Sequence, residues 1–223
     1  MSFAILVMSC DRYSKYTFDL FHHCIEKYWA NHPKVYYCTE SVINPYYETF
    51  TFDYPVSKWT TRLVKALEQI PNDIVLVCPD DTFFRKQVNE KTLNKLSKYV
   101  DDKLIAINLE PPFDCFQVNE ILSIRNPKGK WLSSMMPQLW NKKKLIELIG
   151  NKELNPRETE RLGANTPYSF GIIATTNTDI DFGKKPHIYP YAIVEGKWAS
   201  EIVDFCKKEN IEIDFSELGF FVN

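Results

Sequence analysis

No stretch of this chain is rich in glycine and serine, none is of low complexity, and no internal repeat is visible. Those absences remove a flexible linker and a stacked-repeat architecture. The 223 residues are therefore expected to fold as one domain, 1–223, long enough to bury a substantial core. Charge of one sign is lacking too: 27 Lys and Arg stand against 29 Asp and Glu, and the basic residues are scattered rather than blocked. Such a chain has no field to gather nucleic acid, and no nucleic-acid partner is expected. Long hydrophobic runs are also missing. No apolar stretch approaches the ~20 residues that a bilayer-spanning helix needs. The apolar start through Met8 has no basic residues before it and is cut short by Asp11 and Arg12, unlike a signal peptide. The expectation is a cytoplasmic protein without a transmembrane segment, touching a membrane at most peripherally through its substrate. The six cysteines form no C-x-x-C pair and no Cys/His zinc spacing, so they read as reduced thiols. Neither a P-loop nor a nucleophile elbow is present.

What the chain does have is an alternation of short apolar runs and helical patterns. Phe3–Met8 is continuously apolar and ends at Ser9-Cys10-Asp11, as suits a strand buried on both faces. Residues 16–29 carry apolar side chains near helical spacing, and 34–38 reads as a second strand. Residues 58–70 set Trp59, Leu63, Ala66, Leu67 and Ile70 on one helical face, Pro71-Asn72-Asp73 stops that helix, and 74–78 is another buried strand. A helix is expected at 89–99 and a strand at 104–109. Residues 121–125 and 131–136 read as an irregular, partly antiparallel region, and 142–149 and 197–208 as helices. The fold class is thus α/β, with a Rossmann-like, mainly parallel central sheet flanked by helices and a smaller, partly antiparallel region. Ligands of such sheets collect outside the carboxyl ends of the strands, where Asp11 and the pair Asp80-Asp81 fall.

The acidic pair lies in Val75-Leu76-Val77-Cys78-Pro79-Asp80-Asp81-Thr82-Phe83-Phe84, two carboxylates where a hydrophobic strand emerges. Pro79 removes a backbone donor just as sheet pairing should end. Mg²⁺ or Mn²⁺ takes oxygen ligands, commonly only one or two of them from protein carboxylates, with phosphate oxygens and water filling its shell. An ion held there would neutralise a diphosphate leaving group. The alternative is that the pair starts a turn and caps the next segment of chain.

Six strings in order resemble small bacterial and viral glycosyltransferases of the GT-A type of nucleotide-sugar-binding fold. They are Ser9-Cys10-Asp11-Arg12-Tyr13, Trp59-x-x-Arg62-Leu63-x-x-Ala66-Leu67, Asp80-Asp81-Thr82-Phe83-Phe84, Gln138-Leu139-Trp140-Asn141, Pro156-Arg157-Glu158-Thr159-Glu160 and Val194-Glu195-Gly196-Lys197-Trp198, and they span nearly the whole chain. The metal motif of GT-A enzymes is commonly Asp-x-Asp. Here Pro79-Asp80-Asp81 fills that slot, so the resemblance implies Asp81 as the direct ligand of Mn²⁺ or Mg²⁺, with proline in place of the first carboxylate. It further implies Glu160 as general base, with Glu158 beside it. Fold likeness by itself names no substrate.

Other residues carry two readings each. Ser9 and Asp11 sit at the end of the first strand; Asp11 suits a nucleobase N–H or a ribose hydroxyl, with Tyr13 beside the base, or else caps the next helix. Arg62 suits ribose or diphosphate, or a surface ion pair. Asp80 accompanies Asp81 at the nucleotide. Lys197, after Gly196, suits a β-phosphate, or is a surface lysine at a helix start. Glu158 and Glu160 otherwise form a solvated first helical turn. Asp114 and Glu110, near Pro111-Pro112, are rival bases that can also hold sugar hydroxyls. His187 is placed to give a remote metal ligand, although an isolated His is more often structural.

Taken together, the expectation is a metal-dependent, hexosyltransferase-type enzyme that uses Mn²⁺ or Mg²⁺. It would move sugar from a nucleoside-diphosphate sugar donor to a glycan or lipid-linked sugar acceptor in surface polysaccharide or glycan synthesis, by direct displacement with inversion as the preferred course and a retaining mechanism as the alternative. The alternative is a noncatalytic nucleotide- or carbohydrate-binding module on the same fold.

Overall fold

Apolar residues on both faces make Phe3–Met8 a strand that only a two-sided core can accept, and all six of its residues are buried. The computed structural model describes residues 3–110, 112–134, 136–174 and 192–222. In chain order its elements begin with β1 (Phe3–Met8), α1 (Asp11–Tyr28), β2 (Val35–Thr39), β3 (Glu48–Thr51), α2 (Trp59–Gln69), β4 (Ile74–Pro79), α3 (Glu90–Ser97) and β5 (Leu104–Asn108). Next come β6 (Cys115–Gln117), β7 (Leu122–Arg125), β8 (Gln138–Asn141), α4 (Lys142–Ile149), α5 (Pro156–Thr159), β9 (Ser169–Ile173), β10 (Ile193–Val194), β11 (Lys197–Trp198) and α6 (Glu201–Glu209).

One sheet runs β3-β2-β1-β4-β8-β5-β9-β7-β6, and β10 and β11 form a separate hairpin. From β3 to β4 every neighbouring pair is parallel. Beyond β4 the sheet is mixed: β8 is antiparallel to both β4 and β5, β5 and β9 are parallel, and β7 and β6 close the far edge antiparallel. Alternate residues of β1 divide between the two faces. Phe3, Ile5 and Val7 join a core with residues of α1, α3 and α6. Ala4, Leu6 and Met8 join a second core with residues of α2 and α4. The expected α/β architecture therefore holds, with the antiparallel strands confined to one side.

Several expectations change in detail. Helix α1 begins at Asp11, five residues before the apolar periodicity does, because Asp11 occupies the electropositive first turn. The expected helix 197–208 is a strand, then a helix from Glu201. Glu195 and Gly196 turn the chain with φ of 52° and 81°, and a tight hairpin takes Lys197 and Trp198. Residues 131–136 form no strand among those described, whereas β8 just beyond them lies in the middle of the sheet. Four residues are too few for periodicity to show, and β8 is recognisable only by its neighbours. Strands β3 and β6, of four and three residues, escaped for the same reason.

Strand β8 joins the parallel half to the mixed half through Leu139, which is opposite Leu76 on one side and Ile107 on the other and is wholly buried. Leu139→Ala is expected to lower unfolding free energy in urea by about 2–5 kcal/mol, while Ile43→Ala, at a side chain 72% exposed, should stay within about 0.5 kcal/mol of wild type.

Candidate functional site

β1 and β4 are adjacent and parallel with Met8 opposite Pro79, so the chain leaves both strands at one level. Ser9 and Cys10 emerge beside Asp80 and Asp81. A cavity of about 480 Å³ opens there. It brings together Ser9, Tyr13, Arg62, Asp80, Asp81 and Glu160, six of the residues singled out from the sequence.

Asp80 is buried, and one of its oxygens, Oδ2, accepts from the Ser9 hydroxyl and from Thr17 Oγ1 of α1 at 2.5 Å. Burial pushes its carboxyl up to about 6, and the two hydroxyls oppose that rise. Asp81 is partly exposed at the cavity. Burial first, then the neighbouring Asp80 charge, push its carboxyl well above the usual range, against an N–H donated by Ile193. The β10–β11 hairpin thus roofs the acidic pair: Ile193, Val194 and Glu195 line the cavity, and the Ala192 N–H donates to the Asp81 carbonyl at 2.8 Å.

Arg62 comes from α2 and is 1% exposed. Its Nη1 meets Glu40 Oε1 at 2.5 Å and the Ser9 carbonyl at 3.4 Å, and Glu40 Oε2 accepts the Asp11 N–H at 2.7 Å. Glu40 therefore bridges the start of α1 to Arg62. Sequence reasoning passed over it, although it stands at the carboxyl end of β2 and the strand-end rule that found Asp81 applies equally there. The wall formed by Val56, Trp59 and the hairpin was also missed, because a face shared by distant segments has no local signature.

Other expected residues lie elsewhere. The Asp11 carboxylate does not line the cavity; it accepts from the Ser41 N–H at 3.0 Å, the Ser41 hydroxyl at 2.6 Å and the Val42 N–H at 3.1 Å, so it anchors a loop. Glu158 is drawn into a capping box with Asn155, taking that residue's N–H at 2.9 Å, which makes it a helix-start residue and not a cavity base. Asp114 sits in the left-handed region with φ 43° and accepts from Asn126, away from the cavity lining. Glu110 pairs with Asn108 Nδ2 at 3.1 Å just beyond β5. Lys197 is exposed on β11 and does not line the cavity. His187 lies outside the described residues.

No three His, Cys, Asp or Glu side chains converge into a metal cage among the described residues. The acidic pair suits instead a cation of the Mg²⁺ type, which draws one or two carboxylates from protein and completes its shell with phosphate oxygens and water. The lining holds four carboxylates, Asp80, Asp81, Glu160 and Glu195, against two guanidiniums, Arg62 and Arg157. With all four ionised, an anionic ligand would meet an excess of negative charge unless a cation came with it.

The chain matches no family model and no curated protein. Among solved structures it is similar to mannose-1-phosphate geranyltransferase from Thermus thermophilus, with TM-score 0.52 and 11% identity over 78% of this chain and 74% of that one. It is similar to a cytidylyltransferase from Leptospira borgpetersenii, with TM-score 0.50 and 12% identity over 81% of this chain and 79% of that one. It is also similar to S. aureus TarS 1–349 in complex with UDP, with TM-score 0.50 and 13% identity. The match covers 80% of this chain and 59% of TarS 1–349, so it spans about three fifths of that fragment's length. At these identities the likeness is one of fold.

Asp80 titrates above its ordinary value of 3.8 because it is buried. A carboxyl raised in this way favours the folded state below its unfolded pKa, and that contribution is lost as pH rises through about 6. In chelator, the melting temperature of Asp80→Asn relative to wild type is therefore expected to climb between pH 4 and pH 7.5. Relief of the repulsion on Asp81 acts in the same direction. A difference in melting temperature that stays flat across that window would contradict the assignment.

Proposed function

We propose that the chain is a nucleotide-sugar-dependent glycosyltransferase that binds its donor diphosphate, with Mn²⁺ or Mg²⁺, in the cavity at the ends of β1 and β4. The observation that carries this reading is the placement of Asp81, a carboxylate at a parallel strand end that lines a cavity with Arg62, Tyr13 and Glu160. Similarity in fold to TarS in complex with UDP supports a nucleotide in that crevice.

Asp81, with Asp80 beside it, would hold the cation, which when bound supplies positive charge to the departing diphosphate. Arg62 gives a fixed cation whose direction is set by Glu40, so little reorganisation is needed as charge develops. Tyr13 offers its ring to the nucleoside. Glu160 accepts the proton of an acceptor hydroxyl as that oxygen bonds to the anomeric carbon, the bond from that carbon to the diphosphate breaks, and its electron pair leaves with the nucleoside diphosphate. Direct displacement of this kind inverts the anomeric centre. The finer assignments of hexosyl transfer and of a glycan or lipid-linked acceptor belong to this proposal.

A second reading is nucleotidyl transfer, favoured by the similarity to a cytidylyltransferase and to CMP:2-keto-3-deoxy-manno-octonic acid synthetase complexed with CTP, the latter at TM-score 0.50 and 12% identity. A triphosphate is commonly cradled by backbone N–H groups of a glycine-rich loop. The β1–α1 junction here is Ser9-Cys10-Asp11, and the first glycine of the chain is Gly129. That absence favours a diphosphate donor. Incubation with nucleoside-diphosphate sugars in one arm, and with nucleoside triphosphates plus sugar 1-phosphates in the other, separates the two; pyrophosphate release in the second arm alone would replace the first reading.

Asp81→Asn is expected to abolish the extra thermal stabilisation that Mn²⁺ adds to a nucleoside-diphosphate sugar, while Asp80→Asn weakens it less. Equal stabilisation of wild type in Mn²⁺ and in chelator would argue for a metal-independent site. Glu160→Gln should retain donor binding and lower single-turnover transfer by about 10²-fold or more. Wild-type turnover in that variant, with loss in Glu110→Gln or Asp114→Asn, would move the base to the segment between β5 and β6.

A further inference from the structure

The β10–β11 hairpin that roofs Asp81 has only two residues in each strand. A ribbon of that size does not hold itself together in water. Its turn approaches α1 closely: a Cβ on Gly196 would stand 3.1 Å from the Tyr13 hydroxyl and 3.3 Å from Arg12 Nη2. What fixes the hairpin is Trp198, wholly buried, which takes the Tyr16 ring edge-on at 5.7 Å from one side and Phe215 at 5.3 Å from the other.

Segment 211–222 supplies the second half of that grip. The Trp198 N–H donates to the Gly219 carbonyl at 2.9 Å, and the Phe221 N–H donates to the Trp198 carbonyl at 2.8 Å, so the segment pairs with the hairpin through a single parallel bridge between Trp198 and Phe220. Farther along, Glu217 accepts from Lys15 Nζ and the Tyr16 hydroxyl of α1. The segment therefore ties the hairpin to the helix on the opposite wall of the cavity. At its other end the hairpin meets the acidic pair, with N–H groups of Ala192 and Ile193 turned to Asp81.

We propose that Trp198 is a positioning residue for Asp81, and that segment 211–222 is a clasp on Trp198 that keeps the hairpin against the acidic pair while a nucleoside diphosphate and its cation bind. The inference rests on the glycosyltransferase reading for the role of Asp81 and adds the device that orients it. Loosening the clasp frees the Ile193 N–H from the carboxylate and lets that carboxylate turn, so ligand affinity falls without any change in a residue that touches ligand.

The test uses UDP with Mn²⁺ as probe, titrated calorimetrically, beside amide hydrogen exchange of residues 192–198. Phe215→Ala removes the clasp's ring from Trp198; it is expected to speed exchange in 192–198 about tenfold, leave β4 unchanged, and weaken UDP–Mn²⁺ binding about five- to tenfold. Phe215→Leu, which keeps apolar contact, should remain within about twofold of wild type in both readouts. Should Phe215→Ala melt below the assay temperature, Phe215→Val carries the same comparison. Faster exchange with unchanged affinity, or no change in either, overturns the clasp. Asp81→Asn is run alongside: if it weakens binding while the Phe215 variants do not, the clasp alone is wrong. If it binds as wild type, or wild type binds no UDP, the reading of the site fails and the clasp falls with it.

Discussion

The structure turns on a carboxylate buried where two parallel strands end. Asp80 is the acceptor that joins Ser9 after β1 to Thr17 on α1, and through it β4 is tied to the first strand and its helix. A buried charge without a cation partner is costly unless hydrogen bonds compensate it. Two hydroxyls do so only in part, and burial still holds the carboxyl above its ordinary range. Asp81, one peptide further on, lines the cavity, where a bound cation would offset the charge of both groups.

Around this pair the polar groups divide into those that hold the walls and those that face the cavity. Glu40, Asp11 and Glu158 belong to the first set: each spends its oxygens on backbone N–H groups or on Arg62. Their work is to close loops and begin helices, so that Arg62 stays in place although it is buried. Asp81 and Glu160 belong to the second set. Residues of one chemical type, a few positions apart, thus have different duties according to what the backbone near them leaves unsatisfied. Glu158 is taken by the capping box with Asn155, and Glu160, two residues on and so turned well round the helix axis, lines the cavity.

The two halves of the sheet differ in how far local pattern determines them. In the parallel half, the inner strands β1, β2 and β4 are largely apolar runs, because both sides of the sheet are covered there, whereas the edge strand β3 buries only Phe50. Residues 3–8, 34–38 and 74–78 were legible for that reason. In the mixed half the strands are three to five residues long, and β8 enters between β4 and β5 against the chain direction of both. Its residues bury through their neighbours on two sides, an arrangement invisible in a run of four.

From the sequence alone, the α/β class, the parallel half and the strand-end position of the acidic pair could be read, since a buried strand must be apolar and must stop where charge begins. The sequence also named six residues that meet in one cavity, Ser9, Tyr13, Arg62, Asp80, Asp81 and Glu160. It could not say that Asp11 and Glu158 are consumed by N–H groups near them, because competition between a ligand and the backbone for a carboxylate is decided by geometry. Nor could it show Glu40 behind Arg62, or the hairpin over Asp81 clipped by a segment later in the chain. Those are contacts between parts of the chain with no common pattern, and only tertiary packing, which lowers free energy by burying Trp198 and pairing Arg62, brings them to the same place.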